Sequence, residues 1–263
     1  MRAAAARGIY TVLDFHQDAY TASIHTEDPA SCPDATTPAK GWDGAPAWAT
    51  ITDGLSTCLL NGERNSSPAV VSAWNHFYDD TDGIRTQFTK AWAAVAARFA
   101  GRPEIAGFDL LNEPETSRPA AELTPIYNEL LAQTIAAIRA AEHGAAFEHL
   151  IFVEPAMPSA NPSMGLVIPN PATAGASVRD VVASAHNYAE SITGALDLRI
   201  ETMNDLIETL TSGLGVASWT GEYGWWSTSE EDLAKARRFA ADEDRRRWGD
   251  AWWQWRQSCG DPH

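Results

Sequence analysis

The stretch Gly107-Phe-Asp-Leu-Leu-Asn-Glu-Pro114 decides how this chain is read. With Ile105 and Ala106 ahead of it, it begins as a short apolar run of the kind that forms a buried strand. Pro114 has no amide hydrogen and cannot extend a central strand, so the strand ends there. Asn112 and Glu113 are thereby left at its C-terminal mouth. Working outward, the same pattern recurs. On the N-terminal side, residues 2–7 predict the end of an amphipathic helix with Gly8 as its C-cap. Ile9 to Phe15 then predicts a strand that delivers Asp14, His16, Gln17 and Asp18 to its end. A helix over 83–100, stopped by Gly101, leads into the quoted stretch. Beyond it come a helix over about 120–142 and a strand His149-Leu-Ile-Phe-Val-Glu154 that again ends at a carboxylate and a proline. Val181 to Ala185 predicts a strand ending in His186-Asn-Tyr188, and a helix covers about 199–212. Leu214 to Thr220 predicts a strand ending in Gly221-Glu222-Tyr223-Gly224. A charged helix over about 229–243 carries Ser229-Glu-Glu-Asp at its start, where the helix dipole favours acids. Gly249 to Trp255 is the last strand.

Strand and helix alternate without runs of hairpin turns, the pattern of an α/β fold. The strands number six, each ending in polar or aromatic groups, whereas a closed TIM (β/α)8-type barrel needs eight. The expectation is one partial barrel domain over residues 1–263, lacking the first two β/α units. Residues 19–82 interrupt it with a long insertion rich in Pro, Gly, Ser, Thr, Asp and Trp. Loops of that length are uncommon unless functional. This one is read as a wall of the cleft, with short helices near Ala47–Leu55.

Bulk properties narrow the partners. The chain of 263 residues is long enough for one large α/β core and has no apolar run that could span a bilayer, so stable membrane insertion is not expected. A formal charge of −16 offers no basic patch for phosphates and argues against nucleic acid. The eleven tryptophans exceed what a core needs, and many fall near predicted strand ends or loops. Indoles stack on the C–H faces of sugars, although core packing accounts for several of them. Cys32 and Cys58 flank one long loop and are able to pair if the protein is exported, which would leave Cys259 free; no cysteine spacing suggests a metal site. The N-terminus is too short and too polar to be a signal peptide.

Two carboxylates on the ends of two barrel strands suggest glycoside hydrolysis. A retaining glycosidase uses one carboxyl as acid/base and one as nucleophile. Glu113 suits the acid/base role, with Asn112 placed to hydrogen-bond a sugar 2-hydroxyl. Glu222 suits the nucleophile role, with Tyr188 or Tyr223 to orient it. Either glutamate alone would be read as a solvated strand-end charge; the two motifs in one α/β repeat outweigh that. His16 and Asp18 share a face by alternation and are candidates for the first sugar subsite. A metal is the rival reading of that pair, without a matching Cys or Glu-x-x-His cluster to support it. His186 and Tyr188 have the same spacing, face one way and are likewise candidates for substrate binding, although His186 alone would also be read as a structural histidine. In the last strand Ala251, Trp253 and Trp255 are expected on one face and Asp250, Trp252 and Gln254 on the other, with Trp255 as the platform beneath the sugar. Glu154 is a weaker candidate, since many strand-end carboxylates simply hold loops by hydrogen bonds.

Taken in order, Leu13-Asp-Phe-His-Gln-Asp18, Phe108-Asp-Leu-Leu-Asn-Glu-Pro114, His186-Asn-Tyr188, Gly221-Glu-Tyr-Gly224 and Trp253-Gln-Trp255 resemble glycoside hydrolase family 5, of the clan with its acid/base and nucleophile on the fourth and seventh barrel strands. The His-Gln-Asp form with a long insertion behind it is most similar to the endoglycoceramidase-related branch. The resemblance implies a secreted enzyme that frees an intact glycan from a glycosphingolipid, with no metal or other cofactor; a monomer is expected. It makes the six strands the third to the eighth. The family's first two strands, with the basic residue the second usually supplies, and the β-sandwich common in that branch have no counterpart here. An endo-β-glucanase, a β-glucosidase and a non-catalytic carbohydrate-binding remnant remain open. A lipid aglycone would need an apolar trough, for which Trp42, Trp48, Leu59 and Leu60 are candidates.

Overall fold

The computed structural model describes residues 1–159, 161–191, 198–225 and 227–254. They fall into two compact units, Met1–Asp180 and Val181–His263, each described here by itself.

The first unit opens with helix α1 (Arg2–Ala5) and strand β1 (Thr11–Asp14). The strand is shorter than the sequence suggests, because Ile9 and Tyr10 are exposed and the ladder begins only at Thr11. In the insertion, β2 (Thr36–Thr37) and β3 (Leu59–Leu60) form a small antiparallel hairpin, with the Cys32–Cys58 disulfide formed beside it. A 3-10 turn covers Ala47–Ala49. The insertion also holds a helix the sequence reading did not give, α2 (Pro68–Tyr78). The Ser67 hydroxyl accepts from the Val70 amide at 3.1 Å, and Pro68 occupies the first turn. Val70, Ala73, Trp74, Phe77 and Tyr78 form its buried stripe. Helix α3 (Ile84–Phe99) leads into β4 (Ile105–Asp109), and α4 (Ala120–Ala141) into β5 (Leu150–Val153), within a residue or two of expectation.

β4 pairs in parallel with β1 on one side and β5 on the other. Gly107 is what lets β5 approach, since a Cβ there would stand 2.5 Å from the Leu150 carbonyl oxygen. The core beneath is aromatic. Trp92 of α3 stacks on Phe15 at 4.0 Å and donates its Nε1 hydrogen to the Leu110 carbonyl at 2.9 Å, so the strand's exit is tied to a fully buried indole.

The second unit repeats the scheme with β6 (Val181–His186), α5 (Ile200–Ser212), β7 (Ala217–Tyr223), α6 (Glu230–Arg246) and β8 (Gly249–Trp252). β7 lies in parallel between β6 and β8. Its core is Ile200, Tyr223, Trp225 and Phe239, with the Tyr223 and Phe239 rings stacked at 3.9 Å. Three expectations change. β7 begins at Ala217 rather than Leu214. β7 runs on through Gly221 and Glu222, because a register shift after Ala185 pairs His186 with Glu222 and prolongs the ladder. β8 stops at Trp252, so strict alternation does not continue through Trp253 and Gln254. Trp226, Trp255 and Cys259 lie outside the described residues, and with them the proposed sugar platform.

Candidate active site

In the first unit the mouths of β1 and β4 are laced together through backbone groups. Gln17, buried just past β1, donates its side-chain amide to the carbonyls of Asn112 and Glu113, each at 2.9 Å. Its own amide oxygen accepts from the Tyr20 N–H at 2.8 Å. Asn112 answers by donating its Nδ2 to the Gln17 carbonyl at 3.0 Å. The Asn112 side chain is thus drawn into the scaffold as well as standing beside the candidate acid. From β5, the Glu154 carboxylate accepts the Glu113 N–H at 2.8 Å, while the Tyr127 hydroxyl donates to the Glu154 carbonyl at 2.9 Å. Glu154 thus holds the loop after β4, the alternative to its candidacy as a site residue. The backbone so held is unusual: Glu113 has φ 39°, a left-handed value that a glutamate adopts only where its surroundings dictate it.

The Glu113 side chain meets a residue the sequence reading did not single out. Arg64, from the insertion, places Nη2 2.8 Å from Glu113 Oε2 and Nη1 2.5 Å from Asp18 Oδ1, with its guanidinium 5.4 Å from the centre of the Trp42 ring. Burial works against the charge, yet Asp18 and Glu113 together hold the guanidinium above its usual pKa. The next residue, Asn65, is buried and donates to Glu115 Oε1 at 3.1 Å. Glu115 also accepts from the Ser159 amide at 3.0 Å and from the Ser159 hydroxyl. Burial pushes the Glu115 carboxyl up to about 8, against the Ser159 hydrogen bonds that favour its ionised form.

His16 and Asp18 come together, but beyond the end of β1 at Asp14, so strand alternation is not what pairs them. His16 Nδ1 lies 2.7 Å from Asp14 Oδ2 and Nε2 3.5 Å from Asp18 Oδ2. His16, Asp18 and Asp43 bring one ligand atom each within 4.8 Å of one another, a grouping of metal-ligand type. Asp18 already carries the Arg64 guanidinium, which supplies positive charge from the protein itself. A cavity of about 550 Å³ opens beside this cluster, walled by His16, Phe15, Trp48, Trp74 and Phe88 among others. Of the residues expected to form an apolar trough, Trp48 lines it and is 63% exposed. Leu59 is instead buried in the hairpin, and Trp42 is engaged by Arg64.

In the second unit the end of β6 organises Glu222. The Tyr188 hydroxyl donates to Glu222 Oε2 at 2.9 Å, and His186 Nδ1 stands 3.4 Å from the same oxygen. Of the two tyrosines considered, Tyr188 orients Glu222, while Tyr223 turns away and donates to Asp250 Oδ1 at 2.9 Å. Both glycines of Gly221-Glu-Tyr-Gly224 are required by close approach. A Cβ on Gly221 would lie 2.6 Å from Ser184 Oγ and 2.9 Å from His186 Nε2, and one on Gly224 would lie 2.2 Å from the Trp253 carbonyl oxygen. Asn187 faces the other way. Its Nδ2 donates to Asn204 Oδ1 at 2.6 Å, and Asn204 donates to Asp242 and Glu243, each at 3.0 Å. That buried chain anchors the His186-Asn-Tyr188 turn to α5 and α6.

The residues missed from sequence were Arg64, Gln17 and Glu115. Gln17 stood inside a motif already singled out. Arg64 lay in a turn-rich insertion without periodicity, where no local signal marks it.

The chain's sequence and fold are similar to those of known glycoside hydrolases. The family model described as Cellulase (glycosyl hydrolase family 5) matches residues 1–258. A crystal structure of endogalactoceramidase is similar over 100% of this chain, with 38% identity and a TM-score of 0.88, and the match covers 57% of that chain. An endoglycoceramidase from Hydra vulgaris is 27% identical over 135 residues, 42% of this chain and 23% of its own length. Endoglycoceramidase I from Rhodococcus hoagii (strain 103S) is 28% identical over 116 residues, 41% of this chain and 19% of its own. The chain thus spans just over half of that structure and about a fifth of these curated relatives. The α/β fold is of the TIM (β/α)8-barrel type. Through a family match that runs from its first residue to residue 258, the chain belongs to the cellulase family, glycosyl hydrolase family 5, in its endoglycoceramidase-related branch.

Proposed function

We propose that this chain is a retaining β-glycoside hydrolase that acts in the endo mode on glycosphingolipid-type substrates. The observation that carries the proposal is the hold on Glu222: a tyrosine hydroxyl and an imidazole converge on one carboxylate oxygen at the end of a strand. That arrangement fixes the direction of a nucleophile. Glu113 takes the acid/base role at the end of β4. In the first step a Glu222 oxygen attacks the anomeric carbon. The bond from that carbon to the aglycone oxygen breaks, and the Glu113 proton passes to the departing oxygen. In the second step the Glu113 carboxylate takes a proton from water, the water oxygen bonds to the anomeric carbon, and Glu222 is released. His16 and Asp18 are assigned to sugar hydroxyls.

The lipid part of the reading is supported by the 38% identity to an endogalactoceramidase. The aromatic cavity with the exposed Trp48 supports it too. The Cys32–Cys58 disulfide favours an oxidising, extracellular setting.

The test is mass spectrometry of the products formed from lactosylceramide by the purified chain, beside its Glu222→Gln variant. Free lactose and ceramide are expected from the wild type. The variant should lose turnover by on the order of 10⁴-fold or more while melting cooperatively. Stepwise monosaccharides would overturn the endo assignment. Cleavage of soluble β-glucan with the glycolipid left intact would favour an endo-glucanase. No product from a cooperatively melting sample would favour a binding remnant.

A further inference from the structure

We propose that Arg64 is the positioning residue for Glu113: by bridging it to Asp18, Arg64 fixes the rotamer in which the Glu113 carboxyl exchanges its proton with the glycosidic oxygen. This rests on the reading of Glu113 as the acid/base. The backbone of Glu113 is held from two sides, by Gln17 on its carbonyl and Glu154 on its amide. Such contacts fix the Cα but leave the side-chain torsions to be set by something else. Arg64 reaches the carboxylate itself, at Oε2, 2.8 Å away.

The guanidinium is suited to this because it is a rigid fork. Its two terminal nitrogens serve two carboxylates at once, Nη1 on Asp18 and Nη2 on Glu113. A lysine ammonium, a single point on a flexible stem, does not reproduce that bridge. The fork is itself held in place. Trp42 lies against it. The turn that carries it is pinned on both sides: Glu63 accepts the Asn65 amide at 3.1 Å, and the Ser66 hydroxyl accepts the Leu60 amide at 2.7 Å. Asn65 is tied to Glu115, two residues beyond Glu113 in the chain. The insertion therefore grips the β4 loop at Glu115 and steers its side chain at Glu113. The role of the insertion extends from walling a cleft to completing the acid/base.

Whatever Arg64 does through Asp18 is felt alike by any substrate with the same sugar, whereas what it does through Glu113 is felt only where a proton must be delivered. The experiment compares Arg64→Met, which keeps an unbranched stem against Trp42, with wild type on two substrates. One is a glycolipid, whose alcohol leaves only with a proton. The other is a dinitrophenyl β-lactoside, whose phenolate leaves without one. The quantity compared is kcat/KM, which reports no step after the first bond cleavage. We expect a loss of about 10²-fold on the glycolipid, the scale of a lost or misplaced general acid, and a loss at least about tenfold smaller on the dinitrophenyl substrate, where only the contact with Asp18 is felt. Arg64→Lys should fall between. Equal losses on both substrates would overturn the proposal and make Arg64 a sugar-binding or purely structural group. A crystal structure of Arg64→Met supplies a reading independent of turnover. The Glu113 carboxyl should have moved or occupy more than one rotamer, and an unmoved Glu113 would overturn the proposal. If the wild type cleaves neither substrate, the glycosidase reading fails, and the position of Glu113 in the variant still decides whether Arg64 sets it.

Discussion

Gln17 spends its whole amide on the backbone: two carbonyls accept from its nitrogen, and one N–H donates to its oxygen. Replacing it with leucine leaves three buried or half-buried backbone groups without that partner, at about 1–3 kcal/mol for each that stays unpaired. It also removes one of the restraints on the left-handed φ of Glu113. Gln17→Leu is therefore expected to lower stability by a few kcal/mol in urea titration and to reduce kcat more than KM changes, because the group displaced is the proposed acid/base. A variant that melts lower but keeps its kcat would show that Glu154 alone suffices to hold Glu113. At this scale the sequence was partly legible. Glu113 and Glu222 declared themselves by standing at strand mouths beside proline or glycine. Gln17 did not, because a glutamine in a polar motif is equally suited to sugar, solvent or backbone. Only the position of the neighbouring carbonyls decides among these.

Between elements, one tight constraint lies where β6 and β7 meet around Gly221. A methyl group there would stand well inside contact distance of Ser184 Oγ and His186 Nε2. Both belong to β6, and His186 approaches Glu222 at 3.4 Å. Gly221→Ala is expected to cost about 1–3 kcal/mol by overpacking, and to lower turnover by about 10–100-fold as His186 is pushed off Glu222. The double variant with Ser184→Ala separates the two effects. It relieves the contact with the hydroxyl but leaves the one with the imidazole, so the melting temperature should recover and the activity should not. Recovery of both would show that the imidazole's place is not what the methyl disturbs. Element boundaries were legible wherever the hydrophobic period was clean, as in α3 and α4. α2 went unread although its cap, its proline and its apolar spacing all lie in the sequence, because the turn-rich stretch before it masked the change of period. The end of β8 was misplaced for the opposite reason: Trp-Trp-Gln-Trp reads as a strand to the end, and nothing local reveals that the ladder stops at Trp252.

For the molecule as a whole, the charge of −16 says little about which acids matter, since 35 Asp and Glu contribute to it and most are solvated. Burial raises the carboxyls of Glu115 and Glu243, one in each unit, and the sequence marks out neither. Glu115 is pushed up to about 8 by burial, and Glu243 up to about 7 for the same reason. Glu243 accepts from Asn204 at 3.0 Å and from Thr220 at 3.1 Å through one oxygen; its other oxygen, Oε2, has no hydrogen-bond partner among the described residues. The sign of the consequence follows from proton counting. An ordinary glutamate in the unfolded chain titrates near 4.5. From there up to about 7 the folded state keeps a proton on Glu243 that the unfolded state has lost, and for Glu115 the interval extends to about 8. Unfolding then releases protons, so stability is greatest below pH 4.5 as far as these two groups are concerned and falls as the pH rises through each interval. Mutual repulsion of the other acids tilts the curve the same way, so the slope alone does not identify the cause. Glu243→Gln does. Its amide oxygen keeps both accepted hydrogen bonds and it has no proton to lose, so the drop in melting temperature between pH 5 and pH 8 should be smaller in the variant than in the wild type. Glu115→Gln should flatten the curve further, most visibly between pH 7 and pH 8. Unchanged slopes in both variants would mean that the two carboxyls are already ionised in the fold at pH 5, and that the hydrogen bonds they accept outweigh their burial.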